Sequence, residues 1–187
     1  DELWPILVLL GIERVRIAPG LMAANPLEFE HYPFSHSLLM AAVWGALIGA
    51  TYFAVRKYGR GALVVGALVL SHWFLDAPMH RPDLPLWPGS DVLVGFGLWH
   101  SVPLTMLIEL VVLGAGLALY LRGTRAVDRI GSWGLWGMVT LLMLIALGSL
   151  FGPPPTSPNA VAWSALGLWL LVPWSWWVDR HRAQRAV

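Results

Sequence analysis

Five long apolar runs decide what this chain can fold into, because a bilayer-spanning helix takes about 20 mostly apolar residues. The runs are residues 37–55, 61–77, 102–121, 133–151 and 160–178. A shorter run at 3–12 predicts part of a further span, and the absence of an initiator Met before Asp1 leads us to expect a preceding segment. Spans must be helices or closed barrels, and continuous apolar runs favour helices. We therefore predict a single all-α domain, a membrane bundle of five complete spans and one partial N-terminal span.

The composition agrees with a membrane protein and restricts its chemistry. Charged residues make up 12% of the chain, about half of the roughly 25% that soluble domains carry. There is no cysteine, which excludes disulfides and thiolate metal sites. Any metal ion must then be held by histidine and carboxylate side chains. The sequence contains no phosphate-binding loop motif, and nucleic acid is not an expected partner.

The basic residues predict an orientation. Nine of the twelve Lys and Arg lie in segments 56–60, 122–129 and 179–185, which share one side if the spans alternate. Basic loops stay in the cytoplasm, so we predict a multi-pass protein of a bacterial inner membrane with these loops and the C-terminus inside. Five of the six histidines then belong to the outer side, together with most carboxylates. Membrane lipid is an expected partner, and other membrane proteins or further copies of the chain are possible ones.

His72 and Asp76 stand at the outer end of an otherwise apolar span. Residues four apart share one face of a helix, so this pair can offer a nitrogen and an oxygen to one ion. Ionisable residues within spans are costly and usually functional. The alternative is that Asp76 forms a salt bridge, with Arg81 for example, and only orients His72.

Three more histidines and one glutamate fall near the same depth. His31 and His36 precede the first complete span, with Ser35 or Ser37 as its N-cap. His100 stands just before the third, which Ser101 and Pro103 predict to begin near residue 102. Glu109 lies two turns inside that span, where a charge is expensive, so it is neutral, paired or part of the site. We consider His31, His36, His72, Asp76 and His100 as metal ligands and Glu109 or Asp76 as a general base; His80 lies nearby.

Two blocks of sequence, "HYPFSHSLL" and "LSHWFLDAPMHRPDLPLWP", resemble the YdjM-like family of membrane-bound metal-dependent hydrolases. They span residues 31–88, under half of the chain. The resemblance implies a multi-helix membrane protein whose metal site includes His31, His36, His72 and Asp76. Asp1 is a possible remnant of an acidic motif that the family carries near its N-terminus.

Three functions therefore compete. The first is a hydrolase that uses a divalent ion, most readily zinc, near the outer membrane face and acts on a lipid or another ester or phosphoester. The second is a haem or electron-transfer subunit that uses histidines such as His72 and His100 as iron ligands. The third is an accessory or scaffold subunit of a larger membrane complex, in which the polar residues form ordinary hydrogen bonds.

Overall fold

A computed structural model describes residues 3–185 of the chain, and these residues are mostly helical. The helices are α1 Trp4–Leu9, α2 Pro33–His36, α3 Leu38–Arg56, α4 Gly59–Met79, α5 Val102–Gly123, α6 Arg129–Phe151, α7 Pro158–Leu166 and α8 Leu171–Arg180. Short 3₁₀ turns occupy Leu98–His100 and Gly167–Leu170, and the second joins α7 to α8. Asp1 and the segment expected before it lie outside the described residues.

The five predicted complete spans are confirmed. Within residues 3–185, five helices are long and apolar enough to cross a membrane, namely α3, α4, α5, α6 and the continuous stretch Pro158–Arg180. The largest difference is at α6, which begins at Arg129 because the side chain of Asp128 caps it by accepting a hydrogen bond from the Gly131 amide. Ser101 caps α5 in the same way. The short N-terminal run forms only the six residues of α1, which pack against α7.

Three small antiparallel ladders, which the sequence analysis did not predict, join the ends of the helices. Strand β1 (Arg14–Ile17) pairs with β2 (Leu27–His31). Strand β3 (Leu84–Pro85) pairs with β4 (Leu93–Val94), and β5 (Thr124–Ala126) with β6 (Arg182–Gln184). The last ladder brings two of the basic segments, 122–129 and 179–185, to the same end of the bundle, as the alternation of spans requires.

The other end of the bundle carries a polar cap, which we define as residues 3–36 and 80–101. The buried core lies here, where cap residues meet the ends of α3, α4 and α7. It contains Trp4, Val15, Phe29, Tyr32, Ala41, Trp73, Leu84 and Ala162. Along the spans, by contrast, only 6% of the most apolar window of α5 and 17% of that of α3 are buried. The apolar sides of the spans are therefore left for lipid or for other protein surfaces.

Helices α3 and α4 form a close hairpin that fixes the position of the polar residues above it. A Cβ on Gly45 would lie 2.7 Å from the carbonyl oxygen of Gly66, and one on Gly66 would lie 2.9 Å from that of Gly45. Only glycine permits this backbone approach, as in small-residue contacts between membrane helices. The hairpin thus places the C-terminal turns of α4 beside the N-terminus of α3 and the preceding helix α2.

Candidate metal centre

His36, His72 and Asp76 form a three-residue group at the boundary between the cap and the spans. Each offers one ligand atom, and the three atoms lie within 4.8 Å of one another. The Oδ2 atom of Asp76 lies 3.8 Å from Nε2 of His36 and 3.9 Å from Nε2 of His72. Helix α4 supplies two of the side chains at the predicted spacing of four residues, and α2 supplies the third.

The ring of His72 is held by its own helix. Its Nδ1 donates a hydrogen bond to the carbonyl oxygen of Val69 at 2.9 Å. Because that nitrogen carries the proton in the neutral ring, Nε2 presents a lone pair. This Nε2 atom is buried and has no hydrogen-bond partner among residues 3–185. A buried nitrogen of this kind calls for an explanation, and an ion is one of the recognised ones.

The ring of His36 is held through a serine. Nδ1 of His36 lies 2.6 Å from the hydroxyl oxygen of Ser35, and that hydroxyl donates to Glu13 at 2.5 Å. Since the ionised carboxylate can only accept, the hydroxyl hydrogen is committed to Glu13 and the serine oxygen accepts from Nδ1. Nε2 of His36 therefore also carries a lone pair, and it lies 3.8 Å from Oδ2 of Asp76.

Glu13 is buried within the cap, with 1% of its surface exposed. Its Oε1 accepts hydrogen bonds from the amides of Phe34 (2.8 Å) and Ser35 (2.9 Å). Burial raises the pKa of Glu13, and the hydrogen bonds from Ser35 and Phe34 act in the opposite direction. The carboxylate thus fixes both the backbone of α2 and the hydroxyl that orients His36.

The electrostatics of the group favour a cation. Burial lowers the pKa of His36 well below its ordinary value, and the neighbouring imidazoles of His80 and His72 act in the same direction. The Nε2 atoms of His36 and His72 and a carboxyl oxygen of Asp76 then turn three electron-rich atoms toward one another. A positive ion between them removes that repulsion, because it turns each contact into an attraction.

The donor set fits zinc, although no ion is part of this structure. Catalytic zinc sites use three protein ligands from histidine and carboxylate groups and keep one position open. Donors about 2.0–2.2 Å from a tetrahedral ion lie about 3.4 Å apart, slightly closer than the 3.8 and 3.9 Å seen here. The hydrogen bonds to both Nδ1 atoms are of the type that orients ligand histidines.

His80 lies beside this group in a second hydrogen-bonded network. It is 2% exposed, and its ring centroid is 6.1 Å from that of His36. Its Nδ1 donates to Asp83 at 2.9 Å, and the same carboxylate oxygen accepts from the hydroxyl of Tyr32 at 2.8 Å. Nε2 is consequently the nitrogen of His80 that is left for proton transfer.

Arg81 belongs to the second network rather than to Asp76. Its guanidinium contacts Asp83 and Glu28, each at 3.1 Å. The alternative in which Asp76 pairs locally with Arg81 is therefore not what the structure shows. Asp76 instead has the imidazoles of His36 and His72 as its neighbours.

The other sequence-predicted site residues lie elsewhere. His31 is exposed at the end of β2, opposite Arg14. His100 is exposed in the 3₁₀ turn before α5. Of the two histidines named as haem ligands, only His72 therefore belongs to the group. Glu109 lines an apolar pocket between α5 and α6 with residues such as Met106 and Met143. None of the three belongs to the group of His36, His72 and Asp76.

Sequence reasoning missed the residues that orient the ligands. The sequence analysis assigns no role to Glu13, Asp83 or Tyr32, and it considers Ser35 only as a helix cap. Ser37 is the actual cap of α3, since its hydroxyl accepts from the amide of Met40. A usable signal for Glu13 was its place directly before an alternating segment, "RVRI", which forms β1.

Comparison with family models, with curated proteins and with solved structures finds no match to this chain. The geometry of the group therefore carries the functional argument.

Proposed function

We propose that this multi-pass membrane protein is a metal-dependent hydrolase whose ion is held by His36, His72 and Asp76. The observation that carries the proposal is the buried Nε2 of His72, which has no hydrogen-bond partner in the described part of the chain and lies 3.9 Å from the Asp76 carboxylate. The resemblance of residues 31–88 to the YdjM-like family supports the same chemistry. Zinc suits the donor set best; iron is the other metal that accepts two histidines and one carboxylate.

The ion would supply polarisation of a carbonyl or phosphoryl group and activation of water. The protein's own residues perform the remaining tasks. Glu13 and Ser35 hold His36 in the tautomer that exposes Nε2, and the carbonyl of Val69 does the same for His72. His80 takes the place proposed for Glu109 as general base, because its Nδ1 is bound to Asp83 while its Nε2 is left for a proton.

We propose that the cap, and with it the group, lies on the outer side of the membrane, which the basic ends of the spans support. The group lies at the ends of α3 and α4, which supports a depth near the lipid headgroups. A site at this depth suits an amphiphilic ester or phosphoester, whose polar bond stays near the headgroups. The proposed membrane is the bacterial inner membrane.

Hydrolysis by purified protein tests the proposal. The protein is stripped of metal with a chelator, reloaded with zinc, and offered phospholipids and fatty-acyl esters in mixed micelles. We expect hydrolysis only after reloading, loss of it in His72→Ala, and its retention in the surface variant His100→Ala. Hydrolysis that survives in metal-free protein would overturn the proposal. Zinc binding without hydrolysis of any of these substrates would favour the scaffold function instead.

A further inference from the structure

A cavity of about 510 Å³ opens beside the metal group. Its wall is built from α1, α2, α3, α4 and the middle of the last span. Six of its lining residues carry the inference: Ser35, Trp44, Ile48, Leu68, His72 and Trp169. The only polar side chains among them, apart from the indole nitrogens, are Ser35 and His72.

The polar and apolar parts of the cavity are separated. Ser35 and His72 belong to the metal group and its support, so one end of the cavity lies at the candidate metal centre. The rest is aliphatic or aromatic, and Trp44 is fixed there because its indole nitrogen donates to the carbonyl of Phe34 at 2.9 Å. An apolar pocket with a few polar groups at one end is the usual form of a site for an amphiphilic ligand.

The apolar part extends into the membrane. Ile48 lies ten residues after the start of α3, which at 1.5 Å per residue is about 15 Å below the first turn. The wall also opens sideways toward lipid, since Leu68 is 65%, Trp169 47% and Ile48 45% exposed. A chain in this cavity thus reaches the surrounding hydrocarbon without crossing a polar barrier.

We propose that the cavity binds one acyl chain of a membrane phospholipid, with the polar end of that lipid beside His72. Apolar cavities do not hold ordered water, and a chain from the adjacent bilayer is the apolar ligand present at the highest local concentration. The inference rests on the proposed function in one respect, because it takes the polar end of the cavity to be the catalytic metal centre. It names phospholipid as the substrate class. The chain site itself depends on the wall and not on a metal ion.

Lipid retention by cavity-filling variants tests the inference. Protein is taken from vesicles of phosphatidylethanolamine and phosphatidylglycerol into increasing detergent, and bound phospholipid is counted by native mass spectrometry. We expect the wild type to retain one phospholipid and Ile48→Trp, which fills the cavity, to hold it about tenfold more weakly. Leu47→Trp is the matched control, because Leu47 is 52% exposed beside Ile48 and does not line the cavity. It should behave as the wild type.

A second pair of variants tests the cavity independently, in case Ile48→Trp fails to fold. Val69→Phe narrows the cavity from α4, and Val64→Phe adds the same ring to an exposed site of that helix outside the cavity. Retention of phospholipid that is equal in cavity and control variants would overturn the inference, as would retention of free fatty acid or detergent in preference to phospholipid.

Metal content, together with lipid retention in the wild type and in Ile48→Trp, separates the two proposals. If wild-type protein binds no metal but loses lipid in Ile48→Trp, the acyl-chain site stands and the hydrolase proposal fails. If metal and hydrolysis are present but Ile48→Trp changes nothing, the acyl-chain site fails alone.

Discussion

The hydroxyl oxygen of Ser35 lies 2.6 Å from Nδ1 of His36 and thereby determines which nitrogen of that imidazole faces Asp76. The hydroxyl donates its hydrogen to Glu13. The buried carboxylate therefore orients the hydroxyl, and the hydroxyl oxygen in turn keeps the ring proton on Nδ1 of His36. Ligand histidines in metalloproteins are commonly oriented in this way. The arrangement makes Glu13 a residue that acts on the group without contacting an ion.

The substitution Glu13→Gln tests that relation without removing a ligand. The amide oxygen can keep the two backbone hydrogen bonds, but the amide nitrogen now donates to Ser35. The serine hydrogen then turns to Nδ1 of His36, and the ring proton moves to Nε2. We expect metal affinity to fall about 10–100-fold, measured by competition with a chelator. Glu30→Gln is the control, because Glu30 is exposed and pairs with Arg16 on the surface.

The neighbouring serines form a second matched pair. Ser35→Ala removes the link between Glu13 and His36 and should weaken metal binding by a similar factor. Ser37→Ala removes the cap of α3 and should lower the free energy of unfolding by about 1 kcal/mol, with metal affinity unchanged. Chelator competition and denaturation in mixed micelles measure the two quantities. Equal metal affinity in both variants would show that Ser35 does not orient the ligand.

The α3–α4 crossing requires glycine at position 45, because the two backbones leave no room for a side chain there. In Gly45→Ala the added Cβ would meet the carbonyl oxygen of Gly66 at 2.7 Å, and overpacking of this kind costs about 1–3 kcal/mol. Gly114→Ala is the control: its Cβ meets nothing within 4 Å, so alanine's higher helix propensity should leave stability equal or raised by up to about 1 kcal/mol. Unfolding in mixed micelles compares the two. A stable Gly45→Ala protein would contradict the close approach.

Asp128, at the opposite end of the bundle from the metal group, should make the stability of the protein depend on pH. Its hydrogen bond from the Gly131 amide, and then its contact with His181 at 2.6 Å, lower the pKa of Asp128 below its ordinary value. The unfolded chain therefore takes up the proton more readily, so the stabilisation is present above the ordinary pKa and is lost as pH falls through the lowered one. Asp128→Ala should be less stable than the wild type at pH 7, and the difference should begin to shrink only as pH falls below about 4.

Thermal unfolding in detergent across this pH range provides the measurement. Asp128→Asn keeps a good N-cap but loses the charge, so its deficit at pH 7 should be smaller than that of the alanine variant. A deficit of Asp128→Ala that stayed constant with pH would show that the ionised carboxylate contributes no pH-dependent stability.

The orientation of the protein can be tested directly, because the chain has no cysteine of its own. We expect a single cysteine at Asp91→Cys, in the cap, to react with a membrane-impermeant maleimide in intact cells. A cysteine at Arg125→Cys, in β5, should react only after the membrane is permeabilised. The reverse pattern would place the cap and the metal group in the cytoplasm.

The spans and the centre of the site could be predicted because both depend on local sequence. A run of about 20 apolar residues must cross the membrane wherever it lies, and the spacing of His72 and Asp76 places them on one face of any helix. His36 could be predicted because it directly precedes α3, whose N-terminal end lies at the same end of the bundle as His72 and Asp76. These features need no knowledge of which distant segments meet.

The supporting residues could not be predicted for the opposite reason. Glu13 reaches Ser35 across 22 residues only because β1 and β2 fold into a hairpin, and Asp83 reaches Tyr32 across 51. Both pairings depend on tertiary contacts that a single sequence does not reveal. The exposed positions of His31 and His100 have the same origin, because proximity to a span end in the sequence does not specify the direction of a loop.

The central claim is that His36, His72 and Asp76 bind one divalent ion, and metal content measures it most directly. Elemental analysis of detergent-purified protein compares the wild type with His72→Ala/Asp76→Ala and with the surface control His31→Ala/His100→Ala. We predict about one zinc or iron ion per chain in the wild type and in the surface control, as expected for one three-ligand site, and none in the ligand variant. Folded wild-type protein without metal, or equal metal in all three proteins, would contradict the account.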